Sequence, residues 1–124
     1  MEVKLDKIHS DARGDIYQVV LPKNRELMLF FCRAGHLRGG HSHDCTEAVF
    51  LLSGKLRYHK MVNGQEVISE MSPGDVSYNL PGVPHLGEFL EDSWVVDWKT
   101  DAGIGEFTTT DYEPFRARVR ESMA

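Results

Sequence analysis

The chain has little of what builds several familiar protein classes. Two cysteines, Cys32 and Cys45, in 124 residues exclude a disulfide framework, and free thiols in a cytoplasmic protein are the expectation. No apolar run approaches the ~20 residues that cross a bilayer. The opening segment, MEVKLDKIHSDARGD, is polar throughout and lacks the apolar stretch of a secretory signal. No membrane partner is therefore expected. Cations are outnumbered, 14 Lys and Arg against 19 Asp and Glu, for a net charge of −5. That balance argues against a nucleic-acid partner. Arg116, Arg118 and Arg120 do cluster, but Glu113 and Glu121 flank them, so they read as a solvated helix face. Repeats, low-complexity segments and an interdomain linker are missing too. A 41% hydrophobic content is enough for one core, and residues 1–124 are expected to form one domain.

What is present is a series of short apolar segments punctuated by turn residues. Asp15–Leu21, Leu27–Arg33, Ala48–Leu52, Lys55–Val62, Gln65–Met71, Ser93–Lys99 and Glu106–Thr110 all read as strands. Asn63-Gly64 is the strongest hairpin signal, and Ser53-Gly54 reads as a second hairpin turn. Strands this short and evenly spaced predict an all-β sandwich or barrel, with a barrel core over about 15–110. The pattern then changes. Phe115, Val119 and Met123 recur every four residues and Pro114 suits a first turn, so a short C-terminal helix is predicted over about 112–122.

The chemistry concentrates in Gly35–Gly54, GHLRGGHSHDCTEAVFLLSG. His41, His43 and Glu47 fall within seven residues, and alternation places both histidines on one strand face. A second segment, Gly74–His85, ends in another imidazole. Three imidazoles and a carboxylate suit one divalent transition metal: Fe, Mn, Ni, Co or Zn. With free imidazoles titrating near ~6.5, metal affinity is expected to fall steeply below about pH 6.

These residues resemble the two motifs of the cupin superfamily. Gly35, His41, His43, Glu47 and Gly54 match the first motif without a gap, and Gly74, Gly82 and His85 match the second. Leu80 and Phe89 stand where proline and asparagine are usual. The resemblance implies a cupin jelly-roll β-barrel, a double-stranded β-helix, with His41, His43, Glu47 and His85 as metal ligands. Small cupins are commonly homodimers. Four protein ligands in an octahedral shell would leave two open positions for substrate. A second, weaker similarity is to cupin-fold sugar-nucleotide isomerases and epimerases. It rests on Asp11–Asp15 (DARGD) and on Arg38-Gly39-Gly40-His41-Ser42-His43. In those enzymes histidine acts as a base, often without metal.

Further candidates surround the motifs. Tyr58, Tyr78, Glu88 and His59 are catalytic candidates, and Cys45 would share the ligand face if its strand were regular. Arg38, Trp94 and Trp98 are candidates for contact with a small-molecule ligand or substrate. Arg38 reads as an exposed loop residue, and the two tryptophans share one strand face as an aromatic wall or as core. His9 reads as a solvated residue of a polar arm. Three functions fit: a metal-dependent enzyme for a small carbonyl or carboxylate metabolite (isomerase, lyase or dioxygenase), a histidine-base sugar isomerase or epimerase, and a non-enzymatic ligand sensor.

Overall fold

Alternating apolar and polar residues bury one face of each strand, and two such faces close on each other. The structure, a computed structural model, describes residues 2–124. Its strands are β1 (Lys4–Asp11), β2 (Gly14–Leu21), β3 (Arg25–Cys32), β4 (Leu37–His43), β5 (Glu47–Ser53), β6 (Leu56–Val62), β7 (Gln65–Met71), β8 (Val76–Asn79), β9 (His85–Phe89), β10 (Ser93–Lys99) and β11 (Thr109–Asp111). One sheet runs β1-β2-β3-β10-β5-β8 and the other β11-β4-β9-β6-β7. All pairings are antiparallel. The expected all-β jelly roll is what forms. Between the sheets lie Cys32, Val49, Leu51, Leu56, Tyr58, Met71, Phe89 and Val95. Both cysteines are free and buried.

Helix α1 (Glu113–Met123) closes the described chain. Phe115 and Val119 bury against Leu86 on the outer side of the second sheet. Met123 is exposed, so the expected apolar stripe ends one turn early. The arginines are not simply solvated. Arg116 donates to the Gly39 carbonyl at 2.9 Å, and Arg118 grips Glu66 with two hydrogen bonds of 2.6 and 3.0 Å. Arg120 stays at the surface, paired with Glu113. No described helix is long and apolar enough to cross a membrane.

Three local expectations change. The polar arm is strand β1, and His9 in it hydrogen-bonds Asp11 at 2.8 Å. A register shift between Lys7 and His9 throws Ile8 out of phase with Val3 and Leu5, which hides the alternation. The barrel strands therefore begin before residue 15. Glu106 and Phe107 lie in a loop, with pairing only from Thr109. Asn63-Gly64 does make the β6–β7 hairpin, but Ser53-Gly54 passes the chain from one sheet to the other. Gly54 has φ 94°, and a Cβ there would collide with Ser93 Oγ and the Asp92 carbonyl.

Gly54→Ala combines left-handed strain with a backbone clash. It is expected to cost about 2 kcal/mol or more, read as a lower urea midpoint at unchanged m-value.

Candidate metal centre

Cross-strand pairing assembles the site. On the second sheet His41 stands opposite His85 in the β4–β9 ladder, and His43 stands opposite Thr109 in the β4–β11 ladder. The ligand atoms of His41, His43 and His85 lie within 4.8 Å of one another. On the first sheet Glu47 stands between Asn79 of β8 and Lys99 of β10. Both neighbours donate to it, Asn79 Nδ2 to Oε1 at 3.0 Å and Lys99 Nζ to Oε2 at 2.8 Å. Across the gap Glu47 lies 3.4 Å from His43 Nε2 and 3.3 Å from His85 Nε2.

The outer nitrogens of two imidazoles are committed elsewhere. His85 Nδ1 sits 3.2 Å from the Val83 carbonyl, which accepts its proton. His43 Nδ1 contacts Thr109 Oγ1 at 2.9 Å. Such partners fix ring orientation and turn Nε2 inward. His43 Nε2 and His85 Nε2 are both buried without a hydrogen-bond partner. Orphaned, converging imidazole nitrogens are what a divalent cation would satisfy, so the donor set fits the expected metal.

Burial, reinforced by the mutual repulsion of the ring charges, lowers His41 to about 3; burial lowers His85 to about 4. Desolvation alone would raise Glu47, but the close approach of His43 and the charge of Lys99 outweigh it, leaving the carboxyl below its usual range. Burial opposes the charge of Lys99, yet Glu47 and Asp97 push the ammonium above its ordinary value. Burial, then Glu47, raise Asp97 well above the carboxylate range. His41 and His85 thus stay neutral further into acid than free histidine implies.

Tyr58 is where a catalytic candidate should be. It lines the cavity, stacks on His85 at 6.1 Å and shares Asn79 Nδ2 through its hydroxyl at 2.7 Å. The other three catalytic candidates face away. His59 pairs with Glu66 at 2.9 Å under the helix, because the β6 face that carries Leu56 and Tyr58 lines the barrel. Glu88 pairs with Arg57 at 2.8 Å, opposite in parity to His85. Tyr78 is exposed beside buried Asn79. Trp94 and Trp98 share a face, but Val95, Asp97 and Lys99 hold the inner one, so neither tryptophan meets the cavity. Cys45 sits in the bend between β4 and β5, outside the imidazole cluster. Arg38, by contrast, is a strand residue that lines the cavity. Asp97 and Lys99 were readable by parity from Val95, but the bulky tryptophans claimed the inward face. Asn79 carried no signal of its own.

His41 and His85 bind protons less readily folded than unfolded. Between their folded values and ~6.5 the unfolded chain holds more protons, so stability rises with pH there. The metal-free protein is expected to lose stability as pH falls from about 6.5 towards 4, by up to ~1.4 kcal/mol per pH unit for each histidine. Urea titrations across that window check this, and His41→Gln should flatten the slope.

No family model matches the chain, and no curated protein matches it. Solved structures do. The capsular polysaccharide assembling protein CapF of Staphylococcus aureus superposes with TM-score 0.65 at 21% identity, over 78% of this chain and 30% of that one. Oxalate decarboxylase of Bacillus subtilis, described with Mn(II) centres, gives TM-score 0.70 at 18% identity, over 87% and 30%. Vicilin of Solanum lycopersicum gives 0.70 at 14%, over 85% and 31%. The chain spans less than a third of each of these structures. Two antiparallel sheets closed around three converging histidines, together with this likeness, identify the architecture as the cupin jelly-roll fold.

Proposed function

We propose that the protein is a metal-dependent enzyme acting on a small polar metabolite through its carbonyl or carboxylate, by isomerase, lyase or dioxygenase chemistry. His41, His43, His85 and Glu47 would hold the ion. The observation that carries this reading is the pair of orphaned nitrogens, His43 Nε2 and His85 Nε2, buried and facing Glu47. Nitrogen and oxygen donors suit Fe, Mn, Ni, Co and Zn alike, and the Mn(II) centres of the similar decarboxylase favour manganese as the first ion to test. A bound ion would polarise a substrate oxygen.

The chain's own groups supply the rest. Lys99 keeps its proton and offers a cation beside Glu47, so a negatively charged substrate gains where a neutral one does not. Tyr58 places a hydroxyl at the same wall. Phe107 lies edge-on to His43 at 5.7 Å and under Lys99 Nζ at 4.7 Å. The histidine-base sugar reading uses the same imidazoles without an ion, and the sensor reading uses the ion without turnover.

Protein prepared without chelator, then offered Mn(II), Fe(II), Ni(II), Co(II) and Zn(II), is expected to bind about one ion per chain. His41→Ala and His85→Ala should reduce occupancy by at least about tenfold. Elemental analysis decides the matter, and a chain that takes up none of the five overturns the reading. Glu47→Gln should also weaken binding. It leaves Lys99 as a buried cation without its carboxylate, so a loss of about 3 kcal/mol in stability is expected as well. Full turnover without metal, once a substrate is found, would favour the sugar-isomerase reading.

A further inference from the structure

Away from the imidazoles, the cavity wall holds one guanidinium whose hydrogen-bonding capacity is largely unused. Arg38 lines it, and its side chain is only 10% exposed. Nε and Nη2 are buried without a hydrogen-bond partner. The nearest carboxylate, Asp11, is 3.5 Å from Nη2, long for a hydrogen bond. Asp11 is already engaged by Arg13 at 2.7 Å and by His9 at 2.8 Å. The other arginines of the cavity wall are spoken for: Arg13 binds Asp11 and the Leu37 carbonyl, and Arg116 binds the Gly39 carbonyl. Burial, then the like charge of Arg13, lower the basicity of Arg38. Asp11 meets this guanidinium as an ion pair only, and two buried donors left without a hydrogen bond are costly.

Its placement is deliberate in the backbone. Residues three apart on a regular strand face opposite ways. Here Gly39 pairs with Leu86 and His41 with His85, so Gly40 is an extra residue on β4. Gly40 has φ 89°, and Arg116 packs where its Cβ would be. This bulge brings Arg38 and His41 onto the same inner face. Their ladder partners, Gly87 and His85, are two residues apart, a rise of roughly 7 Å. On the first sheet the cavity is lined by apolar Ile16, Met28, Phe30 and Val49. Phe30 lies 5.9 Å from the guanidinium carbon. The whole cavity is about 430 Å³.

We propose that the cavity takes a short organic diacid, one carboxylate bound by the Arg38 guanidinium fork and the other end directed at the His41–His43–His85 cluster, with its hydrocarbon spacer against the apolar wall. This rests on the metal reading above for the second end only. A planar fork matches a carboxylate through two parallel hydrogen bonds, and Lys99 adds a second cation at the far end.

The test is calorimetric titration of the Mn(II)-loaded protein with malonate, succinate, glutarate and adipate, against butyrate and 3-phosphonopropionate. Succinate to adipate should bind at least about tenfold tighter than butyrate. Arg38→Met should remove that preference while metal content by elemental analysis stays at the wild-type level. Arg38→Lys, which keeps the charge and loses the fork, should fall between. Arg38→Met should also melt no lower than wild type, since it replaces a buried guanidinium whose Nε and Nη2 lack hydrogen-bond partners with an apolar side chain. In wild-type protein carrying ¹⁵N-arginine, the Arg38 Nε–H resonance should shift on adding glutarate, a readout that needs no variant. Equal glutarate affinity in wild type and Arg38→Met, an unmoved Arg38 resonance, or a marked loss of stability in Arg38→Met overturns the proposal. Tighter binding of the phosphonate overturns the diacid assignment. Failure of the metal reading would show separately, as absent metal uptake in both proteins.

Discussion

Glu47 is the group on which the two sheets depend. Its carboxylate is almost fully buried, and an isolated charge there would be untenable. It is stable because Lys99 and Asn79, its cross-strand neighbours on either side, both donate to it. The same oxygens reach His43 and His85 on the opposite sheet. The contact between the sheets at this level is therefore polar and directional, while the hydrophobic cluster around Leu51, Leu56 and Phe89 fills the rest of the gap. Register follows from it. A slip of one residue in β5 would turn Glu47 outward and leave Lys99 and Asn79 facing nothing.

A lysine beside the carboxylate changes what the centre would be with an ion in place. Glu47 offsets one unit of charge, and Lys99 restores it. Asp97 is 4.0 Å from Lys99 but is held towards its neutral form by burial and by Glu47. Its pull on Lys99 is weaker than that of Glu47. The cavity keeps a surplus of positive charge, although the whole chain carries −5. Local field and overall charge point in opposite directions, and the local field is what a ligand inside the barrel meets.

Much of this was legible in the sequence because it depends on period two. Most strands, the Asn63-Gly64 hairpin and the facing of His41 and His43 follow from alternation. What was not legible depends on breaks in alternation or on parity between strands. The irregularity at Lys7 to His9 concealed β1. The extra residue at Gly40 moved Arg38 from an apparent loop to the inner wall. The tryptophans of β10 drew attention from Asp97 and Lys99, since a large aromatic is the usual core residue and a lysine is not. Glu88 and His59 were plausible by composition, but the strands that carry them present the other parity inward.

The bulge at Gly40 sets the phase between two halves of one strand. On one side of it β4 carries Arg38, on the other His41 and His43. One residue of chain length keeps them in step. Loss of that residue would rotate Arg38 to the outside of the barrel and leave His41, His43 and their ladder partners untouched. The guanidinium end and the imidazole end of the cavity are thus separable by a single-codon deletion. A lineage carrying this barrel could change one wall of the cavity without rebuilding the histidine cluster.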